Sequence, residues 1–384
     1  MHRSFLLALS SLALISASCG ASSAGDGGKV VHEIKDQFRI EVLGTFDEPW
    51  AMVSLPNSKE ILITERSGKL KLWNNQLKRS LDVSGLPQVD SGGQGGLGDV
   101  AIAPGMRSVG NTKFVPIFLS WVEAGPSDTR GAVVGTARLI LGPKPELKDL
   151  KVIWRQVPKV TGRGHFSHRI AFSPDGKTLF LASGERQKFT PAQDLSVNLG
   201  KVLRLNLDGT PAAGNPFAAK GGISAQIWSY GHRNILGLQF DRRGQLWGLE
   251  HGPAGGDELN RIEPGKNYGW PLVSNGDHYD GKPIPRHATR PDLTAPAISW
   301  NPVIAPGDFI FYSGKLWPEW KGQALIAGMV FNGLVRLRID GARAAEQARY
   351  PLGKRIREIR EAPDGALLLL EDGPAGRLLR LTRE

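Results

Sequence analysis

The sequence predicts an all-β fold, a six-bladed β-propeller of four-stranded antiparallel sheets, and three observations carry that expectation. An alternating apolar strand, a tight turn and a second strand recur about every 50 to 70 residues, with three to four short strands per unit. The 48 glycines and 26 prolines among 384 residues punctuate the backbone without a collagen-like period, as tight turns between short strands require. Amphipathic helical periodicity is almost absent.

The units follow one another along the chain. A strand over QFRIEVL, residues 37–43, precedes them and is placed to close the ring by joining the last unit. The first unit is WAMVSLPNSKEILITERSGKLKLWN, and a looser second one is GLGDVAIAPG with FVPIFLSWVEAG and VVGTARLIL. The third joins RIAFSPDGKTLFLASGER to LGKVLRLNLDG, and the fourth joins ILGLQFDRRGQLWGLEHG to DELNRIEPG. DFIFYSGKLWPEW with QALIAGMVFNGLVRLRIDG is a looser fifth, and IREIREAPDGALLLLEDG with GRLLRLTRE completes the set. Asp-Gly and Ser-Gly pairs fall where hairpin turns need positive φ. Radial repetition of such units leaves only short, protected sheet edges. A pair of β-sandwiches is the alternative, but it does not explain the repeated grammar, so residues 37–384 read as one propeller domain.

The opening MHRSFLLALSSLALISASCG has a basic start, an apolar run from Phe5 to Ile15 and then small residues. This is the pattern of a secretory signal over residues 1–18, too short for a spanning helix. The single cysteine, Cys19, follows directly and begins a polar tether over residues 19–36. That placement resembles a lipoprotein cleavage site, with Cys19 lipidated at a membrane, although Ser16 stands where such sites usually carry leucine. Ordinary cleavage nearby is the competing reading, and both imply export to the periplasm or cell envelope. The net charge of +11 is spread along the chain with no basic stripe or nucleic-acid motif. Nucleic acid is therefore excluded as a partner, and a basic surface near anionic lipid or a pocket for an acidic cofactor accounts for the excess.

Loops on one face of a propeller converge on its central channel, so the residues that interrupt the strand pattern are the candidates for chemistry. They fall in GGQGGLGD, GHFSH, SGER, YGHRN, EHGPAGGDE, KNYGWP and KRIRE. His165 carries an imidazole whose ordinary pKa near 6.5 leaves it mostly neutral at pH 7, able to accept a hydroxyl proton. Glu185 ends the next strand. Arginines at 233, 355 and 357 suit carboxylates, which guanidinium forks bind bidentately. Each also has a plainer reading: a polar loop histidine, a solvated strand end, an exposed basic edge.

The stretches QGGLGDVAIAP, GHFSHRIAF, PAQDLSVNLGKVLRLNLDG, IWSYGHRN, EHGPAGGDELNRIEPGKNYGWP and RIREIREAPDG resemble the soluble aldose dehydrogenases that use pyrroloquinoline quinone (PQQ), the glucose/sorbosone dehydrogenase family. The resemblance runs from about Phe46 to the C-terminus. It implies PQQ and calcium as cofactors, an aldose substrate, and an external electron acceptor. By position it makes His165 the base that takes the anomeric hydroxyl proton, with Glu185 orienting it. C1 then delivers hydride to the quinone, and the sugar leaves as a lactone. Arg233 and Asn234 match residues that hold the cofactor and polarise its reacting carbonyl, while Gln94, Arg355 and Arg357 match further cofactor contacts. Gly252 and Pro253 match carbonyl ligands of the calcium that grips PQQ, and Glu258 and Tyr268 match a second, structural calcium site.

The chain departs from the family pattern in three places. Ser167-His168-Arg169 stands where the family reads Gly-Gly-Arg, adding bulk beside the expected base. Ile235-Leu236-Gly237 replaces Pro-Gln-Gly. The family's cofactor-binding lysine falls at Met329 or Val330, which removes a cation whose loss an apolar side chain cannot repay to a carboxylate. Two other functions remain open: a metal-dependent hydrolase or lactonase built on His165 and His168 with Glu185, His232 or His251, and a non-catalytic envelope propeller that binds glycan or protein.

Overall fold

The structure, a computed structural model, describes residues 38–56, 58–105 and 114–384. The expected signal sequence and the tether with Cys19 lie outside them. The described residues form six four-stranded antiparallel sheets, joined only by loops and short 3-10 turns. Blade one comprises β2 (Pro49–Ser54), β3 (Glu60–Glu65), β4 (Lys69–Asn74) and β5 (Arg79–Val83). Blade two holds β6 (Leu97–Ala101), β7 (Phe114–Ala124), β8 (Arg130–Ile140) and β9 (Glu146–Arg155). In blade three are β10 (Ser167–Phe172), β11 (Thr178–Ser183), β12 (Lys201–Asn206) and β13 (Ile227–Tyr230). Blade four has β14 (Ile235–Phe240), β15 (Leu246–Glu250), β16 (Asp257–Ile262) and β17 (Ile298–Trp300). Blade five has β18 (Pro306–Phe311), β19 (Ala324–Gly328), β20 (Gly333–Asp340) and β21 (Arg343–Pro351).

The last blade is closed by the first strand. β1 (Arg39–Phe46) pairs antiparallel with β24 (Gly376–Thr382), outside β23 (Leu367–Glu371) and β22 (Ile356–Glu361). The ends of the described chain are thereby stitched into one sheet, as the isolated strand ahead of the first unit predicts. The turns follow the sequence as well: Gly176 and Gly365, in the two Pro-Asp-Gly hairpins, sit at φ 71° and 91°, which a side chain disfavours.

Each inner and middle strand alternates side chains toward its two neighbouring blades. One apolar cluster therefore fills each of the six junctions between blades, and these junctions are the core. The axis is filled differently. Asp99 on β6, Arg169 on β10, Asp308 on β18, and Glu358 and Arg360 on β22 meet there. Arg169 reaches Glu358 at 2.6 Å and Asp99 at 3.5 Å, and Arg360 bridges Glu358 at 2.6 Å and also pairs with Asp308. Burial pushes the carboxyls of Asp99 and Glu358 up, against the pull of these guanidiniums. This buried ionic plug ties four inner strands together beneath the face that carries the candidate residues.

Candidate functional site

His165 lies in the loop that enters β10, and Glu185 in the loop that leaves β11, so one hairpin brings them together. His165 Nδ1 is hydrogen-bonded to Glu185 Oε1. The other oxygen, Oε2, accepts the backbone amides of Lys188 at 2.6 Å and Phe189 at 2.7 Å. A carboxylate only accepts, so His165 must carry its proton on Nδ1 and leave Nε2 as the basic atom. Burial holds the His165 pKa below its ordinary value, against the hydrogen bond that it donates to Glu185, which raises it. Burial acts upward on Glu185, but its hydrogen bond to His165 and the neighbouring charges hold it below the ordinary range. The pair is thus poised as neutral imidazole and carboxylate.

Backbone strain concentrates at this point. His165, Ser167, His168, Arg186, Gln187 and Phe189 all have φ between 51° and 63°, a conformation uncommon for residues with side chains and frequent at functional sites. Arg186 holds the strained segment by donating to three carbonyls, those of Gly164 at 2.9 Å and of Arg130 and Gly162 at 2.6 Å.

The remaining candidates gather around the pair. Gln94 Oε1 accepts the His165 amide at 2.7 Å, and Asn234 Oδ1 accepts from Ser167 Oγ at 3.2 Å. Gln94, Asn234, Arg355 and Arg357 all line one cavity of about 350 Å³ at the mouth of the channel. Arg355 and Arg357 share a partner that sequence reading missed: Asp372, just past β23, accepts from both at 2.8 Å. Arg233 adjoins the pair, its carbonyl accepting the Glu185 amide at 3.0 Å, and donates to His251 O at 3.2 Å. Its Nε is buried without a partner, an orphan donor that a bound ligand would satisfy.

Gly252, Pro253, Glu258 and Tyr268 form a separate small cleft with Arg233, and His251 lines both it and the larger cavity. Asn260 Nδ2 bridges Glu258 at 2.9 Å and Glu250 at 3.0 Å. Glu258 Oε2 stands 3.7 Å from His287, and Asn260 Oδ1 is buried without a partner. This oxygen-rich chemistry fits a hard cation. Tyr268 itself stacks on His232 at 4.6 Å, with its hydroxyl turned to the Arg261 carbonyl.

The three departures resolve physically. His168 does not crowd His165: its ring stacks on Trp50 at 5.1 Å, hydrogen-bonds Ser120 at 2.7 Å, and occupies the space that a side chain on Gly98 would fill. Leu236 lines the cavity while its carbonyl accepts from Arg169 at 2.6 Å. Met329 also lines the cavity, its sulfur 3.6 Å from Arg355, whereas Val330 faces solvent. A cation that sequence reading did not single out, Arg66, lines the same cavity and is held by Glu48 at 2.8 Å. The cavity's apolar Trp50, Phe166, Leu236 and Met329, its three arginines and the orphan donor of Arg233 beside it suit an acidic ligand with an apolar body. The histidines do not converge on a metal. His165, His168, His232 and His251 bind Glu185, Ser120, Glu250 and Pro306 O respectively, and no cluster of three His, Cys, Asp or Glu ligands occurs among the described residues.

The chain is similar to known proteins along most of its length. The Glucose / Sorbosone dehydrogenase family model matches residues 46–380. The chain is 37% identical over 352 residues to aldose sugar dehydrogenase YliI of Escherichia coli (strain K12), covering 89% of this chain and 92% of that protein. A crystal structure of a glucose dehydrogenase superposes with a TM-score of 0.84 at 38% identity, covering 90% of this chain and all of the other. The PQQ-bound aldose sugar dehydrogenase of Streptomyces coelicolor superposes with a TM-score of 0.70 at 26% identity, covering 91% and 99%.

Proposed function

The chain belongs to the glucose/sorbosone dehydrogenase family, and on that premise we propose that it is a PQQ- and calcium-dependent dehydrogenase that oxidises aldose sugars at C1 to lactones. The carrying observation is the His165–Glu185 pair, set beside a cavity lined by Arg66, Arg355 and Arg357 and beside the unpartnered Nε of Arg233. These guanidiniums match the three carboxylates of PQQ, and a cavity of about 350 Å³ lies within the range of small-molecule sites. PQQ, when bound, supplies the two-electron oxidant, and an external acceptor takes the electrons onward.

The chain's own residues do the rest. His165 Nε2 takes the proton of the anomeric hydroxyl, and Glu185 stabilises the imidazolium that results. Glu185 is in turn fixed by two backbone amides, so the base does not swing. Arg233 supplies a buried positive charge where negative charge develops. Calcium would take the carbonyls of Gly252 and Pro253, and Glu258 with the Tyr268 carbonyl would hold a second ion.

The test is a titration of the full chain with PQQ, with and without calcium, followed by an aldose and a redox dye. Saturable one-to-one uptake, weakened by a chelator and restored by calcium, with dye reduction lost in His165→Ala, is the expected outcome. Absence of uptake at micromolar quinone would leave a binding propeller as the better account.

A further inference from the structure

We propose that Lys201 is a positioning residue whose buried ammonium joins the turn that fixes Glu185 to the loop that carries Arg233, a role that rests on the dehydrogenase reading above. Lys201 opens β12 and is fully buried, a rare place for a lysine without an acidic partner. No carboxylate among the described residues forms an ion pair with it. Its Nζ donates instead to the carbonyls of Pro191 at 2.8 Å, Ala192 at 3.1 Å and Leu199 at 2.6 Å. Three N–H groups meet three acceptors, a match that only the charged amine makes. The other neighbours bring little charge. Ser183 and Tyr230 oppose Lys201 on β11 and β13, and His232 is bonded to Ser229 and Glu250. Asp194 turns its carboxylate to Ser196, at 2.8 and 2.7 Å.

These contacts belong to a closed circuit of hydrogen bonds beside the reacting centre. Phe189, whose amide holds Glu185 Oε2, precedes the turn over Thr190–Gln193, and its carbonyl accepts the Ala192 amide at 3.1 Å. Ala192 O accepts from Lys201 and also from the Gly231 amide at 3.0 Å, while Gly200 O accepts the His232 amide at 3.2 Å. The circuit returns to its start through Arg233 O, which accepts the Glu185 amide at 3.0 Å. Gly200 permits the close approach: at φ 70°, a Cβ there would lie 2.7 Å from both Ala192 Cα and His232 O. Burial pushes the Lys201 pKa down to about 7, against the pull of Asp194. Above that pH the neutral amine keeps two N–H groups and leaves one carbonyl unserved. The turn then loosens, and a base misplaced by about 1 Å loses up to about 10²-fold in rate.

Amide hydrogen exchange of the full chain reads this joint with no quinone or turnover. Lys201→Met keeps the stem and removes the three donors. It should lower protection about tenfold over residues 188–194 and 229–234 and leave β23 unchanged. In the wild type the same two segments should lose about fivefold protection relative to β23 as the pH rises from about 6 to 8.5, a step absent from Lys201→Met. With PQQ, calcium and a redox dye, kcat of the variant should fall about 10- to 100-fold while KM for glucose stays unchanged. Should the variant lose protection throughout, the wild-type pH step alone decides. Unchanged protection of both segments in the variant, absence of the wild-type step, or an effect confined to KM would overturn the role of Lys201. Wild-type protein with the expected exchange pattern but no dye reduction would instead refute the dehydrogenase reading and leave the joint standing.

Discussion

Glu185→Gln is nearly isosteric, yet the geometry predicts a large loss of turnover. In the native protein Oε2 accepts two backbone amides, at 2.6 and 2.7 Å. Only an oxygen serves there, so the glutamine carbonyl must take that place and its NH2 must face His165. An NH2 group donates and cannot accept, which forces Nδ1 to become the acceptor and moves the ring proton to Nε2. The atom that should receive the sugar's proton is then occupied. The loss should equal the contribution of general base catalysis, about 10²- to 10⁴-fold in kcat, or roughly 2.7 to 5.4 kcal/mol. The assay is dye-linked turnover from about pH 5 to 9, with quinone affinity measured in parallel. Burial holds the His165 pKa below 6.5, so wild-type activity should fall only as pH drops through a midpoint below that value. Glu185 opposes this shift, so the residual activity of the variant should fall at a lower pH still. Retention of more than about a third of kcat, or a parallel loss of quinone binding, would refute the tautomer argument.

Three further outcomes are expected. Arg357→Leu should weaken PQQ binding by about 10- to 150-fold, the worth of a charged hydrogen bond of roughly 1.5 to 3 kcal/mol, read by absorbance titration. Arg169→Met should destabilise the fold by about 3 to 5 kcal/mol in denaturant titration, because it takes from buried Asp99 its guanidinium partner and leaves Glu358 with Arg360 alone. Cys19→Ala should abolish incorporation of labelled palmitate in a bacterial host if the chain is lipid-anchored, and labelling of neither protein would favour ordinary cleavage.

The blades were legible because inner and middle strands are patterned by burial on two sides, as in β11, TLFLAS, and β23, LLLLE. The outer strands were not. β17 is three residues long and follows an excursion over residues 263–297, so neither its length nor its flanks mark it. That excursion carries Trp270 and Tyr279 back to the rim beside Arg233, a placement fixed by tertiary packing and invisible to local pattern. The candidate site divides the same way. His165 and Glu185 were legible from their motifs, whereas Asp372 reads locally as an ordinary strand end. The register of the β22–β23 hairpin, which pairs Ile356 with Glu371, sets it beside Arg355 and Arg357.

The Ser167-His168-Arg169 segment shows why motif departures mislead when read one residue at a time. Two side-chain-bearing residues at positive φ would be a liability on an isolated loop. Here the neighbours compensate as a set. Gly98 leaves the space, Ser120 supplies the hydrogen bond, and Trp50 stacks on His168 while facing the Arg169 guanidinium at 4.1 Å. Burial and the adjacent arginines lower the His168 pKa to about 3, so the ring stays neutral and adds no charge to the cavity wall. The segment is therefore packed, with His168 part of the cavity wall and His165 Nδ1 bonded to Glu185. Returning His168 to glycine would open a void against Gly98 and Trp50, so the extra bulk supports the site from beneath.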